Sequence, residues 1–441
     1  KGVARFLQRA GRSGHQPGKV SLIYCLPTHA IELIEASALQ KAVKQNAVED
    51  RIPHLNSFDV LIQYLVTLAV SDGFYPKEIF EEVRQTFCFQ MLTEDQWTWV
   101  LNFITLGSQS LQTYDEYKRV EVEEDGKFKV TNRGVAMRHR LQIGTIVGDA
   151  ALTVKYQTGG YIGTIEEFFI SKLTRGDVFT FAGRNLEFIR IKNMQVHVRN
   201  STKKTNRVPS WSGGRMTFSA HMCELLREQL YRVSSEAAGE ALPLSKELKA
   251  LSPVFERQRR ESIIPGPGQF LIETFKTREG YHHIFYPFEG RFVHEAMGSL
   301  LAYRISLLFP VTFSIAFNDY GFELLSDQPV DMQEVIDNNL FSSEYLKQDL
   351  QKSLNATEMA RRKFRDIAVI AGLVFTGYPN KMIKMKHLQS NSQLLFDVFR
   401  DYEADNMLFQ QAFVETFEHQ LEEGRLHLAM ERIRSQEIIW K

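Results

Sequence analysis

Neither sign of charge dominates this chain: 53 Lys and Arg face 53 Asp and Glu, so the formal net charge is zero. A global bias towards nucleic acid or a membrane surface is excluded, and any such surface must be a local patch. Cysteine is scarce, with Cys25, Cys88 and Cys223 far apart among 441 residues. That spacing offers no disulfide framework; each thiol sits in apolar company and reads as a reduced, buried cysteine of a cytoplasmic protein. There is no run of 18 apolar residues, which excludes a membrane-spanning helix, and the start is not a signal peptide. There is no internal repeat and no low-complexity segment. A GxxxxGK[ST] phosphate loop is also missing. Its nearest approach, Gly14-His15-Gln16-Pro17-Gly18-Lys19-Val20, has too few residues between its glycines and a Val where Mg²⁺ needs a hydroxyl.

What is present is ordinary in bulk and specific in places. Hydrophobic content of 44%, charged content of 24% and 32 Phe support deep cores, and the length suits two to four domains. The first specific stretch is Gln8-Arg9-Ala10-Gly11-Arg12-Ser13-Gly14-His15. Two arginines three apart share one face of a helical turn, so both guanidinium groups can meet one anion. Gly11 and Gly14 allow close backbone approach. The competing reading is a solvated helix end.

This octet resembles the QRxGRxG(R/H) element, the sixth motif of superfamily 2 helicases, and the apolar run Ser21–Leu26, a predicted strand, follows it as in their second motor domain. The resemblance implies that Arg9 and Arg12 are arginine fingers acting on ATP, with Gln8 contacting the nucleotide or a facing acidic motif. No DExH is present; Asp115-Glu116-Tyr117-Lys118 lacks the His. Together with Lys1 in place of an initiator Met, this makes the chain look like the C-terminal part of a longer helicase, not expected to hydrolyse ATP alone.

Residues 1–48 are expected to finish a motor domain, with strand Val20–Leu26 and a helix from Ala30 to about Val43 capped by Thr28. Residues 49–140 follow a winged-helix plan. Ser57 caps a helix over Phe58–Val70 with an apolar stripe, Pro76 opens a second, and a Thr93-x-x-Gln96 capping box opens a third. Arg119 to Val130 alternates around Asp125-Gly126 as a β-hairpin. The third helix carries Glu94 and Asp95 and no Lys or Arg, so a spacer role is favoured over groove reading.

From about 141 to 220, short strands at 151–157, 163–170, 176–181, 186–191 and 194–198 suggest a small barrel or strongly curved sheet. Between Phe188 and Cys223 lie seven basic residues, Arg190, Lys192, Arg199, Lys203, Lys204, Arg207 and Arg215, and no acid. Trp211 sits among them on a Pro209-Ser210-Trp211-Ser212-Gly213-Gly214 loop. An exposed ring beside a basic strip suits single-stranded nucleic acid, the charges tracking phosphate and the ring stacking a base. A Trp folded back on the barrel is the plainer alternative.

Residues 221–441 read as an α+β and helical remainder: a helical segment from Met222 to about Leu251, strands at 269–275, 281–286, 311–318 and 322–325, helices at Ala296–Leu308 and from Met332, then about a hundred helical residues. His282, His283, His294 and Glu295 lack the second His of a zincin helix, and no metal is expected. Basic clusters Arg361–Arg365 and Lys381, Lys384, Lys386, His387 offer further phosphate contacts or solvated faces. Glu415–Glu431 reads as one amphipathic helix.

Longer blocks, among them 163–188, the WSGG loop, 287–306 and 372–412, resemble the large helicase-related (Lhr) family, most closely its ligase-associated DEXH-box members. The fold expected is therefore α+β and multidomain: a RecA-like remnant, a winged helix, then a β-barrel-like region with C-terminal helices. The resemblance implies ATP and Mg²⁺ in the full-length protein and none bound to this part. It implies 3′-to-5′ translocation on single-stranded DNA, unwinding of DNA or RNA–DNA duplexes in repair, a nucleoid-associated cytoplasmic location without membrane contact, and a ligase or nuclease as candidate partner. In this family the Trp of a WxG loop stacks on the tracking strand, which maps to Trp211. The rival class is a non-catalytic nucleic-acid-binding or scaffold module.

Overall fold

The computed structural model describes residues 2–14, 16, 18–49, 53–145, 151–171, 173–192, 195–203, 205, 217–237, 243–378, 381–382 and 385–441. Helices α1 (Val3–Ala10) and α2 (Glu32–Lys44) open the chain. Val3, Ile34, Ala38 and Ala42 are buried with Phe218, Met222 and Leu225 from far along the sequence. Thr28 does not cap α2 as expected. Its backbone N–H donates to Glu32 Oε2 (2.5 Å), so the helix's first acid reaches back to the preceding turn.

The strand predicted at Val20–Leu26 does not form. The segment belongs to no sheet among the described residues, and Val20, Leu22, Tyr24 and Leu26 are 88%, 62%, 86% and 88% exposed. An alternating apolar pattern supplies the side chains of a strand, but the ladder needs a neighbour, and the described chain brings none there. Cys25 in this segment is exposed, contrary to expectation, whereas Cys88 is half-buried and Cys223 buried.

The winged-helix plan is realised as α3 (Phe58–Val70), α4 (Pro76–Arg84), α5 (Glu94–Leu106) and a short hairpin of β1 (Glu121–Val122) and β2 (Phe128–Lys129). Both halves of the Thr93/Gln96 capping box are made, and Gly126 takes the hairpin turn at φ +83°. Ser57 precedes α3 without a side-chain cap. Helix α6 (Arg133–Gln142) follows, capped by Asn132.

A five-stranded mixed sheet comes next: β3 (Ala151–Tyr156), β4 (Tyr161–Glu166), β5 (Val178–Phe181), β6 (Arg184–Lys192) and β7 (Gln195–Asn200), in the order β4-β3-β7-β6-β5. Among the described residues its edges are not joined by a ladder, so it is an open sheet rather than a closed barrel. It is nevertheless curled: a Cβ added at Gly163 on one edge strand would meet the Phe181 ring of the other at 3.0 Å. The run 163–170, expected to be all strand, turns into helix α7 (Glu167–Ser171), because Glu167 is drawn to a buried arginine of a later helix.

The segment expected as one helix to about Leu251 is α8 (Ala220–Ala237), α9 (Lys246–Ala250) and α10 (Ser252–Glu261). A second five-stranded sheet holds β8 (Gln269–Lys276), β9 (Tyr281–Phe285), β10 (Ser314–Phe317) and β11 (Phe322–Ser326), with α11 (Arg291–Leu308) packed on it. Helix α11 starts five residues before its predicted start because Gly290, at φ +86°, caps it. Helices α12 (Met332–Asp337), α13 (Leu346–Ser353) and α14 (Ala356–Ile370), a short pair β12 (Gly377–Tyr378) and β13 (Lys381–Met382), and helices α15 (Met385–Tyr402) and α16 (Met407–Glu415) follow. The predicted helix Glu415–Glu431 is interrupted by a π turn at Thr416–Gln420 and by Glu422 at φ +47°, and resumes as α17 (Glu423–Arg434). A last strand, β14 (Glu437–Trp440), adds parallel to β8, with Ile438 opposite Phe270. Three apolar residues, Ile438, Ile439 and Trp440, are too short a signal to foresee it.

The winged helix does not keep a core to itself. Leu61, Leu65, Trp97, Val100 and Ile104 share one cluster with Phe364, Ile367, Phe396, Phe399 and Leu408 of the C-terminal helices. At this seam Asp59, 4% exposed, accepts from Gln411 Nε2 (2.8 Å), which also donates to Glu415 (2.7 Å). Burial pushes the Asp59 carboxyl up to about 6, outweighing the Gln411 hydrogen bond, with Glu415 adding to the rise. A carboxyl raised in the folded state stabilises below its unfolded value near 4 and loses that contribution as pH climbs through 6. Asp59→Asn is therefore expected to flatten the stability profile between these pH values and to stabilise the chain at pH 8 by about 1–3 kcal/mol. Urea denaturation at several pH values checks this; an unchanged slope would sink it.

Candidate nucleotide and nucleic-acid interface

Arg9 lies in the last turn of α1, and Arg12 lies just past its C-cap, Gly11. Helix α1 is held at its positive end by Glu49, whose Oε2 accepts from the Val3 and Ala4 amides (3.0 and 3.2 Å). It ends at Gly11; the Arg12 amide then donates to Arg9 O (3.1 Å) and the Ser13 amide to Ala10 O (2.9 Å). Ser13 also ties the turn to the following segment, its Oγ accepting from the Leu22 amide (3.2 Å) and its carbonyl from Ser21 Oγ (3.0 Å). Gly14, at φ +72°, passes so near that a Cβ would sit 3.2 Å from Val20 O. Gln8, Arg9 and Arg12 are all exposed. Arg9 lines a cleft of about 690 Å³ with Arg5, Tyr24, Glu35, Asp319 and Tyr320, and the Tyr320 hydroxyl bonds Glu35. The arginine helix thus faces the second sheet's layer across one concavity. Arg5 and Arg9 line this cleft, and Arg12 does not.

The basic strip is only partly where the sequence put it. Leu186 and Phe188 of β6, Val196 and Val198 of β7, and Leu152 and Val154 of β3 turn inward to one core. The alternate residues face outward. Pairing sets Lys155 of β3 opposite His197 of β7, and His197 opposite Arg190 of β6, making a three-strand row. Lys192 stands two pairs along, opposite Gln195, and Tyr161, 66% exposed, extends the row on β4 opposite Lys155. The His197 imidazole is held below its usual range, first by partial burial and then by the charges of Arg190, Lys155 and Lys192. Arg199 is exposed but committed, making a bidentate pair with Glu187 (2.6 and 3.0 Å). Lys203 is exposed after β7. Trp211, Lys204, Arg207 and Arg215 lie outside the described residues. Lys155, His197 and Tyr161 were missed in the sequence. The alternation of 151–157 exposed Lys155 in principle, but the parallel β3–β7 pairing that puts it beside His197 spans some forty residues.

The Arg361–Arg365 cluster is not a phosphate surface. Arg361 pairs with Glu358 (2.7 Å) and Asp397 (3.0 Å), Lys363 with Glu415 (2.8 Å), and Arg365, 3% exposed, with Glu167 (2.5 Å). Glu358 is on the same helix, α14, while sequence distance hid Glu167, Asp397 and Glu415, which come from α7, α15 and α16. Lys384 lies outside the described residues. The histidines serve the second sheet: His282 bonds Glu323 (2.5 Å) and Thr277 (2.7 Å), His283 Nδ1 is 3.3 Å from Thr274 Oγ1, and buried His294 bridges the Glu289 amide and Asn318 O (2.9 and 2.6 Å). Among the described residues no three or more His, Cys, Asp or Glu are grouped to hold a metal ion, and no helix is long and apolar enough to cross a membrane.

The winged-helix domain model of the large helicase-related protein matches residues 41–208, and the DEAD/H-associated model matches residues 264–441. The chain belongs to the Lhr helicase family. An ATP-dependent helicase Lhr-Core of Methanocaldococcus jannaschii is 25% identical over 446 residues, covering 100% of this chain and 52% of its own. The Lhr helicase/uracil glycosylase of Escherichia coli is 23% identical over 416 residues, covering 91% of this chain and 27% of its own. The structure matches that of the Mycobacterium smegmatis helicase Lhr bound to ssDNA and AMP-PNP with TM-score 0.70 and 19% identity, over 100% of this chain and 53% of the other. At that identity the likeness establishes the fold. The chain spans about half the length of its Lhr-Core relatives.

Proposed function

We propose that this chain is the strand-engaging part of an ATP-dependent DNA helicase of the ligase-associated Lhr branch, moving 3′ to 5′ along single-stranded DNA in repair. The observation that carries the reading is the outward row of Lys155, His197 and Arg190 across three strands. Such a row tracks phosphate while Trp211 stacks a base. Arg9 and Arg12 sense the γ-phosphate of ATP, with Gln8 contacting nucleotide, and Mg²⁺ and most of the ATP site come from the rest of the protein. Residues 1–48 act as the motor edge, 49–140 as the winged-helix spacer and 141–441 as the strand-gripping region. A DNA ligase or nuclease is the partner class to test, and the nucleoid the place of action.

Binding of fluorescent single-stranded DNA to this chain across a salt series tests the reading. Lys155→Gln with Arg190→Gln is expected to weaken binding and to reduce the slope of log affinity against log salt by roughly 1.4, two phosphate contacts' worth. Trp211→Ala is expected to cost about 1–3 kcal/mol more. An unchanged slope in the double variant would remove the row from the interface. A second reading, a nucleic-acid-binding or scaffold module without turnover, is favoured by one observation: none of the 441 residues forms a phosphate loop. DNA-dependent ATP turnover by the full-length protein separates the two.

A further inference from the structure

Between the winged helix, α6 and the C-terminal helices lies a cavity of about 360 Å³ that neither interface uses. Arg119 and Arg138 line it, together with Tyr117, Leu373 and Leu395, and Glu116 stands exposed at its edge. Arg119 Nη1 donates to Ala371 O (2.7 Å), while its Nη2 is buried and has no hydrogen-bond partner among the described residues. The guanidinium lies 5.8 Å over the Phe103 ring, and the residue as a whole is half-buried. Neither Arg119 nor Arg138 is ion-paired among the described residues, unlike Arg361 and Arg365 nearby.

A desolvated guanidinium without a carboxylate is an unfavourable arrangement that a bound anion would relieve. The surroundings report the uncompensated charge. Burial pulls Arg119 down to about 10, and His139 is lowered to about 4 by burial first and then by Arg119 and Arg140. The walls are fixed in advance. Gln142 Nε2 donates to the Val369 and Val374 carbonyls (3.1 and 2.6 Å), and Gln63 Nε2 donates to Ile370 O (2.9 Å). Thr67 donates its hydroxyl to Gln63 O (2.8 Å), so it accepts from His139 Nε2 (2.8 Å), which fixes that imidazole's tautomer.

We propose that this cavity binds a phosphate group, held by Arg119 from the wall and Arg138 from the rim, with a ring or apolar body resting on Tyr117 and Leu373. The volume suits a mononucleotide, either free or as the phosphorylated end of a strand. The site stands apart from the strand-gripping face, so either can fail without the other.

The test is calorimetric titration and thermal melting of the full chain with inorganic phosphate, AMP, and a short single-stranded oligonucleotide carrying either a 5′-phosphate or a 5′-hydroxyl, with chloride matching ionic strength. Saturable binding of phosphate and AMP is expected. Arg119→Met should abolish it, and Arg138→Gln, on an exposed helix face, should weaken it about fivefold or more. If Arg119→Met melts early, Arg138→Gln decides. AMP binding with no preference for the 5′-phosphorylated strand identifies a free-nucleotide site; a preference for that strand identifies a strand-end site. No binding of any probe, or wild-type affinity for AMP and phosphate in Arg138→Gln, overturns the proposal.

Discussion

Replacing Arg12 by alanine is expected to slow DNA-stimulated ATP turnover by the full-length protein about 10³–10⁵-fold, by analogy with arginine fingers elsewhere, or roughly 4–7 kcal/mol of lost transition-state stabilisation. The local structure makes this a clean experiment. Arg12 is exposed, and its position is set by its backbone amide on Arg9 O rather than by its side chain. Removing the guanidinium therefore leaves α1, Gly11 and the Ser13 ties intact, and stability should move by no more than about 0.5 kcal/mol. Single-stranded DNA binding should be unchanged, because the cationic row is on β3, β7 and β6 and not on the arginine turn. Wild-type turnover in Arg12→Ala would end the finger assignment and favour the scaffold reading.

The second large effect is structural. Glu167→Ala is expected to destabilise the chain by about 3–5 kcal/mol, measured by urea denaturation, because it strands a buried guanidinium. Glu167 and Arg365 pair at 2.5 Å with their side chains 5% and 4% exposed, and Arg362 stands 3.9 Å from the same carboxylate. Helix α7 at the edge of the curled sheet is thereby fastened to α14, which also carries the core shared with the winged helix. Replacing both partners by apolar residues, Glu167→Leu with Arg365→Met, should recover most of the loss, since the pair's own net contribution is small once desolvation is counted. A loss below about 1 kcal/mol in Glu167→Ala would show that water reaches the site and that the fastening is weak.

The same pair shows where sequence reading stopped. Arg361–Arg365 looks like a basic surface in the sequence because its acids, Glu167, Asp397 and Glu415, lie tens to about two hundred residues away. Arg199 misleads in the same manner, its charge being committed to Glu187 across one ladder. Local signals fared better. The span of α3 is where its apolar pattern places it, though without the Ser57 cap, and the Thr93/Gln96 box and the Asp125-Gly126 turn form as expected, because each depends on residues within a few positions. The Val20–Leu26 run had the right pattern and still made no strand.

What the sequence determined by itself is whatever short-range chemistry fixes: the span of α3, the capped start of α5, the hairpin, and the motif blocks that mark an Lhr-family chain. What only the tertiary structure decided is which charges are free. Charge is local in sequence, but its neutralisation is a matter of distance in space. Pairing across β3, β7 and β6 gathered Lys155, His197 and Arg190, while packing of α14 against α7 and α15 hid a basic run of nearly equal density. Contact between segments far apart in the chain, which no local pattern encodes, settled which one faces solvent.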